Sequence, residues 1–208
     1  MQMQSLPDNL EASYLNTLIE MLGGHIKAFD RIAGKNTIEL MPKWHEERGI
    51  IYFNIAFDGT TGNEWRTRLK NSDFKITKRA RFLLDSSDFE PISGVTHRLA
   101  ILRAPLFKNK KYLMSEAYAE ADRLGFVELN LGAACRFREK FTNMDIRNMG
   151  FRYLIFGHKP MADIDGDFDL MSVDIVNFDR PDLDTLDIWP SRSWDSDCGF
   201  VFCSQALS

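Results

Sequence analysis

Four aspartates alternate along one stretch of this chain: Asp163, Asp165, Asp167 and Asp169, within Asp163-Ile164-Asp165-Gly166-Asp167-Phe168-Asp169. Carboxylates at every second position can converge oxygens on a hard cation, so Ca²⁺ or Mg²⁺ is the cofactor this stretch would hold. The first three match positions 1, 3 and 5 of an EF-hand loop. Phe168 stands where that loop needs glycine, and Asp174 where it needs glutamate, so a true EF-hand is excluded. A looser cation site and a plain polar hairpin both fit.

Two further groups of residues carry chemistry. His158 could be oriented by Asp163 or Asp165 as a base, with Cys135 or Ser172 as nucleophile. No GxSxG, HExxH or papain-like cysteine context accompanies them, so no catalytic residue is assigned. Asp187, Trp189, Arg192, Trp194, Asp195 and Asp197 mix rigid aromatics with short polar groups, the composition of a ligand-binding surface. The same tryptophans could instead cover the end of a core.

Charge is partitioned along the chain although the net value is only −4. Residues 65–112 hold twelve Lys/Arg against four Asp/Glu; residues 163–197 hold eleven Asp against two Arg. The basic helices around Arg66 to Arg81, with Trp65, Phe74 and Phe82 nearby, could follow a phosphate backbone. Alternatively the two regions are solvated surfaces that attract each other. The loop Asp58-Gly59-Thr60-Thr61-Gly62 invites a phosphate-cradle reading, but it has neither a Walker lysine nor GxGxxG. A turn that caps the next helix needs the same residues.

The elements that must position these groups are legible from periodicity. Leu10 to Leu22 has helical spacing after an Asp8/Glu11 capping pattern, and a short second helix is expected over Ile26, Phe29 and Ala33. Residues 38–48 read as an irregular linker. Ile51, Phe53, Ile55 and Phe57 alternate as a strand, followed by helices from Asn63 and over Ile76 to Leu84. Val95 to Leu106 is a second strand. Helices follow from a Ser115 cap, around Ala133 to Phe141, and from a Thr142/Asp145 capping box. Phe151 to Phe156 has the composition of a central strand, another strand covers Met171 to Ile175, and residues 189–202 read as loop then strand.

The segments Gly49-Ile50-Ile51-Tyr52-Phe53, Asp58 to Gly62 with Glu64-Trp65, and Asp88-Phe89-Glu90-Pro91 carry a resemblance. So do Arg138-Glu139-Lys140-Phe141-Thr142, Met149-Gly150 and His158-Lys159-Pro160. Together they resemble a group of uncharacterised bacterial proteins, over about three-quarters of the chain. The tail from Asp163 to Phe202 is similar to the variable C-terminal segments of diversity-generating retroelement target proteins. It departs from them in being Asp-rich rather than Asn-rich and in carrying Cys198 and Cys203. That resemblance implies a C-type-lectin-like fold and ligand binding for the tail.

The expected architecture is therefore α+β: a mixed sheet with covering helices and a β- and loop-rich, C-type-lectin-like C-terminal part. Residues 1–48 form an N-terminal helical segment and linker, and 49–208 the main domain, with a recognition region at about 160–208. The leading function is a non-enzymatic binding protein for a protein or small ligand. The alternatives are a small metal-dependent enzyme using His158 and the acidic loop, and a nucleic-acid binder through 66–81. No apolar run is long enough to span a bilayer, and Met1 to Asp8 lacks the pattern of a secretory signal, so a cytoplasmic location without a membrane partner is expected. Cys135, Cys198 and Cys203 have no framework spacing; on one strand the last two would stand roughly 16 Å apart, beyond disulfide reach.

Overall fold

The computed structural model describes residues 24–27, 39–103, 113–175, 182–188 and 193–207, and it divides into two compact units, Met1–His45 and Glu46–Ser208. The first unit contains a two-stranded antiparallel hairpin of β1 (Gly24–Lys27) and β2 (Glu39–Pro42). Ile26, expected on a helix, therefore lies on a strand, and Glu39–Pro42 of the expected linker is the partner strand. Four-residue strands give too little alternation to be distinguished from one helical turn, so the pairing decided the outcome. The expected helix over Leu10 to Leu22 lies outside the described residues.

The second unit is built on a nine-stranded mixed sheet. Its strands are β3 (His45–Glu47), β4 (Ile50–Asp58), β5 (Lys75–Ile76), β6 (Ser93–Arg103), β7 (Tyr153–Phe156), β8 (Met161–Ala162), β9 (Phe168–Asp174), β10 (Asp182–Asp187) and β11 (Cys198–Leu207). The order is β3-β4-β6-β11-β7-β9-β10-β5, with β8 paired to β9. β11 runs parallel to β7 and β10 parallel to β5; the pairs β4–β6, β6–β11, β7–β9 and β9–β10 are antiparallel. The α+β class with a mixed, helix-covered sheet is as expected. The C-terminal strand is not an appendage, since it fills the middle of the sheet and Cys198 to Cys203 are buried there.

Five helices are described: α1 (Gly62–Asn71), α2 (Lys78–Leu84), α3 (Met114–Arg123), α4 (Gly132–Lys140) and α5 (Asn143–Asn148). Thr61 caps α1 in a full capping box with Glu64, and Thr142 caps α5 in the same way with Asp145. Two starts differ from expectation. Lys75–Ile76 is a strand, so α2 begins at Lys78 under a Thr77 cap, and α3 begins at Met114 with no side-chain cap from Ser115.

Strand alternation sends side chains to two faces, each with its own cover. Ala100, Leu102, Ile155, Leu170, Phe200 and Phe202 form one core with Met114, Ala117 and Ala121 of α3, sealed at its margin by half-buried Trp194. On the other face Phe53 meets Phe137 and Phe141 edge-on, and Phe137 meets Phe156, which fixes α4 there. Close packing also explains Gly62: a Cβ there would stand 1.7 Å from the Leu84 carbonyl oxygen, so α1 can touch the end of α2 only through glycine.

Candidate functional site

β9 begins earlier than the apolar alternation suggests, at Phe168, so Asp169 is a strand residue and only 163–167 form the acidic turn. Gly166 takes a positive φ of 88°, and the turn closes through Asp163 N–H to the Asp167 carbonyl at 2.7 Å. The Asp163 carboxylate holds it from inside, its Oδ1 accepting from the backbone N–H of Asp165 at 2.8 Å and of Asp167 at 3.0 Å. The cluster's third strand partner was not expected as a strand: β10, Asp182–Asp187, reads Asp-Leu-Asp-Thr-Leu-Asp, too charged to announce burial.

The ladder places Asp187 directly opposite Asp169, and Thr185 opposite Met171. Asp169, Thr185 and Asp187 therefore share a sheet face, where carboxylate oxygens of Asp163, Asp169 and Asp187 lie within 4.8 Å of one another. Of the four alternating aspartates, the structure brings in Asp163 and Asp169. Asp165 and Asp167 are exposed on the turn, and Asp187 completes the group.

One cation enters this cluster. Arg79, in the first turn of α2, places Nε 3.1 Å from Asp163 Oδ2 and Nη2 3.5 Å from Asp165, and its Nη1 donates to Asp187. At an effective dielectric near 20, two unit charges 4.8 Å apart interact by about 3.5 kcal/mol, so three ionised carboxylates cannot stand together without such a partner. Arg79 does not engage Asp169 by a hydrogen bond. Asp169 is fully buried and no donor stands in hydrogen-bonding geometry to either of its oxygens; the buried Thr185 hydroxyl is also without a partner. The Asp169 carboxyl is raised to about 6, by burial first; the neighbouring Thr185 hydroxyl works the other way, and Asp187 and Asp163 push it up. Such an orphaned buried charge is costly, and it is the least scaffold-like feature among the described residues.

His158 sits close in sequence but has no catalytic freedom. Its Nδ1 lies 2.7 Å from the Lys159 carbonyl oxygen and its Nε2 accepts from Met171 N–H at 2.8 Å. Both ring nitrogens are thus committed to backbone, and burial lowers the imidazole to about 4. Cys135 is fully buried on α4 with its thiol pushed up by burial, and Ser172 points to the sheet face opposite Asp169. Among the described residues, His158 meets neither Cys135 nor Ser172 as a nucleophile. None of the three cysteines forms a disulfide, and all are buried.

Part of the charge of the basic region is matched within the molecule, while Lys70, Lys78 and Arg81 are exposed. Arg66 pairs with Asp85, Arg68 with Asp58 and Glu139, Lys75 with Asp182, and Arg79 with the cluster. The acidic and basic regions of the sequence do meet, at Arg79 and Lys75. The Asp58–Gly62 loop is likewise self-filled. Asp58 accepts from Thr60 N–H at 3.2 Å and Glu64 from Thr61 N–H at 2.8 Å, which occupies the amides a phosphate would use.

Of the expected recognition residues, Asp187 and Trp194 line one small gap, and Asp195 and Asp197 follow Trp194 in the chain. Trp189 and Arg192 lie outside the described residues. Trp194 packs on the core beside Phe200, at 6.4 Å between ring centroids, and lines a small gap with Leu186 and Ile188. Asp195 and Asp197 belong to the turn entering β11, their carbonyls accepting from Cys198 and Arg152 N–H. Exposed large apolar side chains stand elsewhere: singly at Phe82, Val95, Val127 and Met144, and as a pair on the acidic turn, where Phe168 is 60% exposed and Ile164 48%. Phe168 faces Ile188 across the ladder, with Ile188 N–H bonded to the Phe168 carbonyl at 3.0 Å. Phe168 and Ile164 lay in view between the alternating aspartates; only their exposure was hidden. No helix among the described residues is long and apolar enough to cross a membrane. Comparison with family models, with curated proteins and with solved structures returned no match.

Proposed function

We propose that this is a non-enzymatic binding protein whose partner is another protein, taken at the β8–β9 turn and the neighbouring end of β10. The observation that carries the reading is the exposed pair Ile164 and Phe168, with Ile188 opposite Phe168. Large apolar side chains on an acidic turn have no packing role, whereas an aromatic anchor inside a polar rim is the usual centre of an interface. Asp165, Asp167 and Asp184 form the rim, so the complementary partner has an apolar centre flanked by Lys or Arg.

The similarity of the tail to variable, lectin-like retroelement target segments belongs to the same proposal. Burial limits where such variation could fall: the exposed positions of 164–168 and 193–197 tolerate change, while Cys198 to Cys203 fill the sheet centre. Two comparisons test the reading. Crosslinking in native extract is run with the wild-type chain and with Phe168→Asp, checked for an unchanged unfolding midpoint. A partner captured by the wild type and lost from the variant supports the proposal; equal capture by both overturns it. An adenine-altered near-copy of the tail's coding sequence beside a reverse transcriptase gene would support the retroelement component, and an intact locus without one would remove it.

A further inference from the structure

We infer that Asp163, Asp169 and Asp187, with the Thr185 hydroxyl, form a binding site for one divalent cation of the Ca²⁺, Mg²⁺ or Mn²⁺ class. Asp169, Thr185 and Asp187 lie on the sheet face opposite Phe168, so this inference does not rest on the recognition surface, although Asp163 also holds the turn that carries it.

Three observations converge on it. Carboxylate oxygens from three separate chain positions lie within 4.8 Å of one another, the spacing of ligands around a hard cation. Asp169 is 0% exposed and neither of its oxygens receives a hydrogen bond. The Thr185 hydroxyl adds a neutral oxygen beside Asp169. It is 8% exposed, lies on the same strand face, and is also unpartnered. Asp182, ion-paired to Lys75, leaves one oxygen without a hydrogen bond, whereas Asp169 leaves both.

The charge count agrees. Arg79 supplies one positive charge to the three cluster carboxylates and also reaches the exposed Asp165, which leaves at least two negative charges for a 2+ ion to match. Arg79 engages Asp163 through Oδ2 and Asp187 through Oδ1, from the α2 side. Asp187 thus keeps its second oxygen, and Asp169 keeps both. Asp163 Oδ1 is committed to the turn, so Asp163 joins through Oδ2, sharing it with Arg79 or releasing it. Arg79 is 37% exposed and can swing toward solvent if released. All the donors are oxygens, which selects hard cations over zinc or copper.

The test uses the full chain, stripped with a chelator and titrated separately with CaCl₂, MgCl₂ and MnCl₂. Heat of binding and the thermal unfolding midpoint are read in each case. The expected result is single-site binding of at least one ion with a raised midpoint, weakened at least tenfold in Asp169→Asn and in Thr185→Val. Asp167→Asn, whose side chain lies outside the cluster, keeps wild-type affinity. If Asp169→Asn fails to fold, Thr185→Val and the wild-type titration still decide. Absence of heat and of any midpoint shift at millimolar ion overturns the inference. So does a response that both cluster variants retain, since it would report the exposed acidic surface. Stabilisation of Asp169→Asn over the wild type together with no ion response would assign the cluster to Arg79 alone, and overturns it equally.

Discussion

Asp169 and Asp187 stand directly opposite each other on adjacent antiparallel strands, two carboxylates paired across a ladder position where like charges destabilise. The arrangement persists because Arg79, 108 residues from Asp187 in sequence, reaches in from α2 to pair with it and with Asp163. Much of the chain's charge partition resolves into this contact.

Arg79→Gln, measured without divalent ions, is expected to lower the unfolding free energy by more than an ordinary surface change, since it removes the cation beside the fully buried Asp163 carboxylate. Arg79→Lys should recover only part of that, because an ammonium cannot span Asp163 and Asp187 as the guanidinium fork does. Urea unfolding at pH 7.5 makes the measurement. A loss within 0.5 kcal/mol, about that of an ordinary surface change, would remove Arg79 as the organising cation.

Stability should depend on pH through His158. The unfolded imidazole protonates near 6.5, the folded one at about 4. Between those values the unfolded chain binds more protons, so stability rises with pH across this window and levels off above it. The span corresponds to about 3 kcal/mol at most. Asp169 opposes this, because its raised carboxyl makes stability fall as pH rises toward 6. Unfolding midpoints of Asp169→Asn between pH 4 and 8 should therefore show the His158 slope more steeply than the wild type, and Asp169→Asn/His158→Gln should flatten it.

Gly62→Ala adds one methyl group on the surface of α1, yet it should cost about 3 kcal/mol, because the methyl would overlap the Leu84 backbone carbonyl and force α1 and α2 apart. Asn63→Ala, one residue on and exposed, should change stability by less than about 0.5 kcal/mol. Thermal unfolding of the two variants side by side checks the contrast.

The thiols of Cys135, Cys198 and Cys203 are all buried and unbridged. A thiol reagent should label none of them in minutes in the folded protein and all three in denaturant. Cys135 in particular has its thiol pushed up by burial, which removes the reactive thiolate. Rapid labelling of Cys135 in the native state would contradict its placement inside α4.

The sequence by itself determined what short-range pattern controls. Alternation at Ile51 to Phe57 placed β4, the apolar run before Gly157 placed an interior strand, and Thr61/Glu64 and Thr142/Asp145 set two helix starts. Each depends on neighbours within a few residues, so each can be read locally. The spacing of Cys198 and Cys203 on one strand likewise excluded a bridge between them. Tertiary structure alone decided what depends on pairing between distant segments. It made Gly24–Lys27 a strand, gave the charged stretch Asp182–Asp187 a place in the sheet, and put the last strand at its centre. It also sorted the aspartates. Alternation alone would group Asp163, Asp165, Asp167 and Asp169. The turn turns Asp165 and Asp167 outward, and the β9–β10 register brings Asp187 to the remaining two. Register is a property of two strands together, and neither strand's sequence contains it.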